Sequence, residues 1–138
     1  MSKPYAVIIT GGGSSTRYSQ GNKLLENLAG VPVFIHSVKK LSGFADKENF
    51  ILTVCEKDRS VFEQELEKYG YSGVITVVTG GSTRVESVKN ALDAIVLQQG
   101  KVAVHDAARP LVEHQLLEQL FQNMHSLMLK QQKMLFVH

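Results

Sequence analysis

The stretch from Tyr5 to Lys23, YAVIITGGGSSTRYSQGNK, holds the residues of this chain best suited to chemistry. An apolar, β-branched run (Tyr5 to Thr10) breaks into the consecutive glycines Gly11, Gly12 and Gly13. Ser14, Ser15 and Thr16 follow, then Arg17 and, further on, Lys23. Glycines let main-chain N–H groups approach an anion closely, and neighbouring cations can then neutralise it. These residues predict a phosphate-holding loop at the end of a buried strand, with Arg17 and Lys23 set against a triphosphate. Neither common phosphate loop fits. A P-loop needs Gly-Lys followed by Ser or Thr, whereas Lys23 lies between Asn22 and Leu24. A dinucleotide fingerprint begun at Gly11 meets Thr16 where its last glycine belongs. The plainer alternative is a flexible Gly/Ser loop with two solvated cations.

Two later segments carry further candidates. In VHDAARP, Asp106 reads either as a turn or helix-capping aspartate or as a hard oxygen ligand for Mg²⁺ held beside a triphosphate. His105 reads as a packed, hydrogen-bonded residue or as a general base, and Arg109, before Pro110, as a phosphate ligand or a loop anchor. In GGSTRVESV, the Gly80-Gly81 turn and Ser87 can approach a flat base without bulk; Ser87 equally reads as an ordinary first-turn helix residue.

The elements that must position these residues alternate along the chain. Apolar runs predict strands at Tyr5 to Thr10, Asn49 to Cys55, Val74 to Val78 and Lys101 to His105. Between them, Pro32 opens a helix burying Val33, Phe34, Val38 and Leu41 and ending at Gly43. Ser60 with Glu63 has capping-box spacing for a helix burying Val61, Phe62, Leu66 and Tyr69 and stopping at Gly70. Thr83 with Glu86 repeats that spacing ahead of Val85, Val88, Leu92 and Ile95, with Gly100 as the stop. A last helix carries Leu116, Leu117, Leu120, Phe121 and Met124. Near-continuous apolar strands separated by amphipathic helices predict an α/β fold: three layers, a Rossmann-like, mostly parallel sheet covered on both faces. Ligands bind such sheets beyond the carboxyl ends of the strands, where all three loops would converge. The expected organisation is one nucleotide-binding α/β domain over residues 1–126 and an atypical tail over 127–138.

Composition narrows the classes. The 138 residues suit one domain, and a formal charge of +2 with scattered basic residues gives no footprint for nucleic acid. Cys55 is the only cysteine, so no internal disulfide forms; within an apolar run it reads as a small core residue. No signal peptide and no apolar run of membrane-spanning length are visible, which predicts a soluble, cytoplasmic protein.

GGGSSTR followed by NK, then GGSTRVESV and above all VHDAARP, in this order and spacing, resemble the cytidylyltransferases that act on 2-C-methyl-D-erythritol 4-phosphate in non-mevalonate isoprenoid synthesis. The resemblance covers Tyr5 to about Gln122 and implies the nucleotidyltransferase fold. It implies transfer of a cytidylyl group from CTP to the sugar-alcohol phosphate, with Mg²⁺ as cofactor and pyrophosphate as by-product. By that resemblance Gly11, Gly12, Gly13, Gly81, Ser87 and Ala107 bind the nucleotide, with Gly81 and Ser87 on cytosine and Ala107 by the ribose. Arg17 and Lys23 stabilise the transition state, Asp106 holds the metal and Arg109 lies on the sugar-phosphate side. The nucleophile is already an anionic phosphate, so no strong general base is needed. Ribitol-5-phosphate cytidylyltransferases share most motifs; the second alanine of HDAARP favours the erythritol substrate. A catalytically silent CTP-binding domain is the alternative from another class.

The chain departs from the family pattern at several points. Asn22-Lys23-Leu24 replaces a usual Pro-Lys-Gln, Ser15 a common glycine and Ser82 a frequent acidic residue. Family members continue further, with more strands, a homodimer-forming arm and residues completing the site, whereas SLMLKQQKMLFVH shows no strand or turn leading onward. The expectation is therefore a truncated or frameshifted product, or the nucleotide-binding half alone, able to bind CTP weakly without catalysing, whose exposed sheet edge would favour association.

Overall fold

The computed structural model describes residues 5–11, 23–96, 99–107, 127–128 and 135–137. Its strands are β1 (Tyr5–Thr10), β2 (Asn27–Leu28), β3 (Val31–Pro32), β4 (Phe50–Val54), β5 (Thr76–Thr79), β6 (Gln99–Asp106), β7 (Leu127–Met128) and β8 (Leu135–Val137). The helices are α1 (Val33–Leu41), α2 (Arg59–Lys68) and α3 (Arg84–Ala94). The main sheet runs β5-β4-β1-β6-β7, with β8 also paired to β6. All its pairings are parallel except β6 with β7. The mostly parallel α/β sheet expected from the alternation is thus the observed one.

Side-chain alternation along the strands divides the core. Val7, Ile9, Phe50, Leu52 and Val54 face Phe34, Ile35, Val38 and Leu41 of α1 and Phe62 and Leu66 of α2. Ala6, Ile8, Ile51, Val102 and Val104 face Val88, Ala91 and Leu92 of α3. The handedness of β-α-β crossovers explains the division. The chain steps outward from β1 through β4 to β5 with its helices on one face. It then reverses to reach β6 on the other side of β1, so α3 must cross the opposite face. Phe34 and Phe62 meet edge to face with centroids 4.6 Å apart, which joins α1 to α2.

Several sequence expectations are corrected here. Ser60 does not cap α2; Asp58 occupies the N-cap position without a side-chain cap bond, and Glu63 pairs with Arg59 at 3.3 Å. A 3-10 turn at Glu56–Asp58 runs straight into the helix and moves its start ahead of Ser60. Val61 and Val85 are exposed rather than buried, because the buried face of α2 is set by Phe62 and Leu66 and that of α3 by Ser87, Val88, Ala91 and Leu92. Gly100 lies within β6, where it pairs with Leu127, and α3 already ends at Ala94. The tail expected to hold no strand supplies β7 and β8, both drawn onto β6 by its open main-chain groups. Cys55 is half-buried at the end of β4. The stops at Gly43 and Gly70 stand, with φ of 98° and 86°, where a side chain would be strained. The last predicted helix lies outside the described residues.

The outer strand β5 is closed by side chains. Gly80 N–H donates to Val54 O at 2.8 Å, so the alternate residues Val77 and Thr79 turn their main-chain groups to the open edge. Arg59 Nη2 donates to Val77 O at 3.1 Å and Asn90 Nδ2 to Thr79 O at 3.3 Å. With these two carbonyls engaged, the β5 edge is a poorer template for a further strand.

Candidate functional site

Register brings the strand ends to one rim. Thr10 lies opposite Thr53 on one side and Asp106 on the other, and Val54 lies opposite Thr79. The rim therefore reads, from the outer strand inward, Gly80 after β5, Cys55 after β4, Gly11 after β1 and Asp106 ending β6. At about 4.8 Å per strand, Gly80 and Asp106 stand roughly 14 Å apart across the sheet. The strand order reverses between β1 and β6, and a parallel sheet opens its ligand crevice at that reversal. Gly11 and Asp106 flank it.

Gly11 is pinned and leaves no room for a side chain. Its N–H donates to Thr53 O at 2.8 Å. A Cβ there would lie 2.9 Å from that oxygen, 3.0 Å from Leu52 Cδ1 and 3.6 Å from Leu24 Cδ1. Leu24 belongs to the 3-10 turn Lys23–Leu25 and packs on the α1–α2 core, so it anchors exposed Lys23 next to the Gly11 end of β1.

The turn from Gly80 to Thr83 is bound to the start of α3. Gly81 N–H donates to Ser87 Oγ at 3.0 Å, and Ser87 is buried. Ser82 donates to Glu86 Oε1 from its N–H at 2.8 Å and from its hydroxyl at 2.6 Å. Glu86 N–H donates to Thr83 Oγ1 at 3.1 Å, so the predicted capping pair forms. A Cβ on Gly80 would lie 2.6 Å from Ser87 Oγ, and one on Gly81 would overlap Glu86 Cβ. Both glycines are therefore required for close approach.

The Ser82 hydroxyl first, then the Ser82 N–H, hold the Glu86 carboxyl below its ordinary value of 4.5. A carboxylate depressed in the folded state adds stability above its unfolded pKa, and that stability is lost as pH falls through the folded value. Thermal melts across this acid range should show Glu86→Gln flattening the pH dependence while leaving the neutral-pH fold intact. A mutant curve parallel to the wild type would remove Glu86 from this role.

On the inner side, Ala107 N–H donates to Thr10 O at 3.1 Å and continues the β1–β6 ladder past Asp106. His105 is fully buried with Nε2 3.4 Å from Ser37 Oγ, which selects the packed reading over a general base facing the rim. Ala107 is likewise buried.

The rim thus gathers Gly11, Lys23, Gly81, Ser87, Asp106 and Ala107. Gly12, Gly13, Arg17 and Arg109 lie outside the described residues, and Asp106 is placed by its backbone. No group of three or more His, Cys, Asp or Glu residues able to hold a metal occurs among the described residues. A single carboxylate still fits Mg²⁺ brought on a triphosphate, because that ion keeps waters and phosphate oxygens as its other ligands. A cavity of about 580 Å³ lies elsewhere, between α2 and β5, lined by Lys47, Arg59, Glu63 and Thr76 among others. None of the predicted site residues lines it. Two participants were missed from the sequence: Ser37 on α1 and Thr53 on β4, whose buried Oγ1 has no hydrogen-bond partner among the described residues. A serine within the apolar stripe Phe34, Ile35, Val38 and Leu41 was the available signal for the first.

A mostly parallel sheet with helices on both faces, glycine turns at its rim and an acidic strand end at the order reversal is the architecture of the nucleotidyltransferase class. The family described as "IspD: 2-C-methyl-D-erythritol 4-phosphate cytidylyltransferase" matches residues 5–131, and the chain belongs to that family. It is 38% identical over 117 residues to the 2-C-methyl-D-erythritol 4-phosphate cytidylyltransferase of Bacillus velezensis, covering 84% of this chain and 50% of the relative. The Porphyromonas gingivalis protein of the same name is 38% identical over 120 residues, covering 86% of this chain and 52% of its own length. Among solved structures, 4-diphosphocytidyl-2C-methyl-D-erythritol synthase from Anaerococcus prevotii superposes with a TM-score of 0.66 at 27% identity, covering 85% of this chain and 48% of that one. Bifunctional IspDF from Campylobacter jejuni gives 0.68 at 28% identity, covering 88% and 30%. The chain spans about half the length of the curated relatives it matches. Among the described residues no helix is long and apolar enough to cross a membrane.

Proposed function

We propose that the rim binds CTP and serves transfer of its cytidylyl group to 2-C-methyl-D-erythritol 4-phosphate. An oxygen of the acceptor phosphate attacks the α-phosphorus, the bond to the β-phosphate oxygen breaks, and pyrophosphate leaves. The observation that carries this reading is the convergence of Gly11, the Gly80–Ser87 turn and Asp106 on one rim at the strand-order reversal. In-line placement and charge neutralisation are what the reaction needs. Arg17 and Lys23 neutralise charge developing on the transferred and leaving phosphates, and Arg109 takes the acceptor phosphate. Gly11, Gly12, Gly13 and Ala107 line the nucleotide. Asp106 holds Mg²⁺, which when bound screens the charge of the triphosphate and of the departing pyrophosphate.

The Gly80–Thr83 turn supports cytosine. The N–H groups of Gly81 and Ser82 are already engaged by Ser87 and Glu86, so the turn has carbonyl oxygens left to offer. Acceptors suit the exocyclic amine of cytosine and reject the carbonyl of uracil. By family resemblance the reading extends to a homodimer working in the cytoplasm.

Thermal melts test this. CTP with Mg²⁺ at a hundred times Kd should stabilise the chain by about 2.7 kcal/mol, with UTP far behind. Pyrophosphate release should then require the methylerythritol phosphate. No stabilisation by CTP, or equal stabilisation by UTP, would overturn the site as drawn.

A further inference from the structure

We propose that Ser37 is a positioning residue for the acidic turn: from α1 it holds the His105 ring and the Ala107 carbonyl, the neighbours of Asp106 on either side. The inference rests on the reading of Asp106 as the residue that meets the metal–nucleotide. Ser37 sits inside α1 and is fully buried, on the face that otherwise presents Phe34, Ile35, Val38 and Leu41 to the core. A hydroxyl in such a face is costly unless hydrogen-bonded. Its bonds leave the helix altogether. Ser37 Oγ donates to Ala107 O at 3.2 Å and lies 3.4 Å from His105 Nε2. With its one proton on Ala107 O, the serine accepts from the imidazole, which fixes the Nε2–H tautomer.

The residues it grips flank Asp106 in sequence. Ala107 is held twice, by its N–H on Thr10 O at 3.1 Å and by its carbonyl on Ser37. Alternation along β6 turns His105, like Ala103, towards α1, where Ser37 meets its ring. Ser37 thus acts on the turn through the His105 ring and the Ala107 carbonyl. Removing it takes one hydrogen-bond partner from a buried carbonyl and from a buried ring, and the strand end gains freedom where Asp106 must be still.

Two readouts on the whole chain test this. Amide hydrogen exchange at Ala107 in Ser37→Ala should speed up about tenfold relative to mid-strand Ile8, the size expected for one lost buried hydrogen bond. CTP affinity in the presence of Mn²⁺, used as the probe metal, should fall about 3- to 10-fold while metal-free CTP affinity holds. Ser37→Thr, which keeps the hydroxyl, should restore both. Leu41→Ala, a core truncation on the same helix, should lower stability without a selective change at Ala107 or in the metal increment. Unchanged exchange at Ala107, or a Mn²⁺ increment in Ser37→Ala equal to the wild type, would overturn the positioning role alone. A wild-type chain whose CTP affinity ignores Mn²⁺ would instead overturn the reading of Asp106, and with it the functional half of this proposal.

Discussion

Lys23→Ala, made in a full-length version of the protein, is expected to slow cytidylyl transfer by about 10²–10³-fold, the scale set by removing one charge-stabilising donor from a transition state. CTP affinity should fall less, by about tenfold, the scale of one charge-assisted hydrogen bond. The inequality follows from where charge develops. The triphosphate is anionic throughout, but the additional charge on the leaving pyrophosphate exists only as the α-phosphorus bond breaks, and only binding specific to that state raises kcat. Lys23 is well placed for the role because its turn is anchored through Leu24 beside Gly11. Arg17→Ala should behave the same way. Single-turnover pyrophosphate release, set beside equilibrium CTP binding, separates the two effects. An unchanged rate in Lys23→Ala would remove it from the chemistry.

The second large effect concerns the glycines. Gly11→Ala places a Cβ 2.9 Å from Thr53 O and 3.0 Å from Leu52 Cδ1, and the first of these is backbone that cannot rotate away. Overpacking of this kind costs about 1–3 kcal/mol. The relief available is to push Gly11 off β4, which breaks its N–H bond to Thr53 and shifts the start of the nucleotide loop. Gly81→Ala meets Glu86 Cβ and has to open the turn that Ser82, Glu86 and Ser87 close together. Both variants should lose CTP affinity along with melting temperature. Gly73→Ala supplies the contrast, since its Cβ meets nothing within 4 Å. That change should be neutral, or stabilising by about 0.4–1 kcal/mol through the unfolded state. If Gly11→Ala melts with the wild type and binds CTP normally, the close approach at the rim is not what the loop requires.

Much of this architecture is local and so was legible in the sequence. The runs at β1, β4, β5 and β6 are apolar on successive residues because both faces of a parallel sheet are covered, and that pattern needs no knowledge of the fold. The Thr83–Glu86 cap joins residues within one helical turn, and it forms as its spacing predicts. Motif order, with VHDAARP at its centre, likewise carried the family.

What the linear chain could not decide was competition between distant partners. Ser60 has the spacing of a cap, yet the preceding 3-10 turn starts α2 earlier, and Arg59 takes Glu63 while reaching across to Val77. Gly100 looks like a helix stop, but Leu127 and Met128 of the tail offer ladder partners that extend β6 through it. His105 was ambiguous until Ser37, far back in α1, was brought against it. The sequence by itself determined which segments become strands, where their glycine and acidic ends fall and which family they resemble, because those depend on periodicity and near neighbours. The tertiary structure alone decided that these ends share a rim at the order reversal, that His105 is packed inward and that a buried serine braces the acidic turn. Each of those depends on which buried polar groups find partners once the two faces of the sheet are closed.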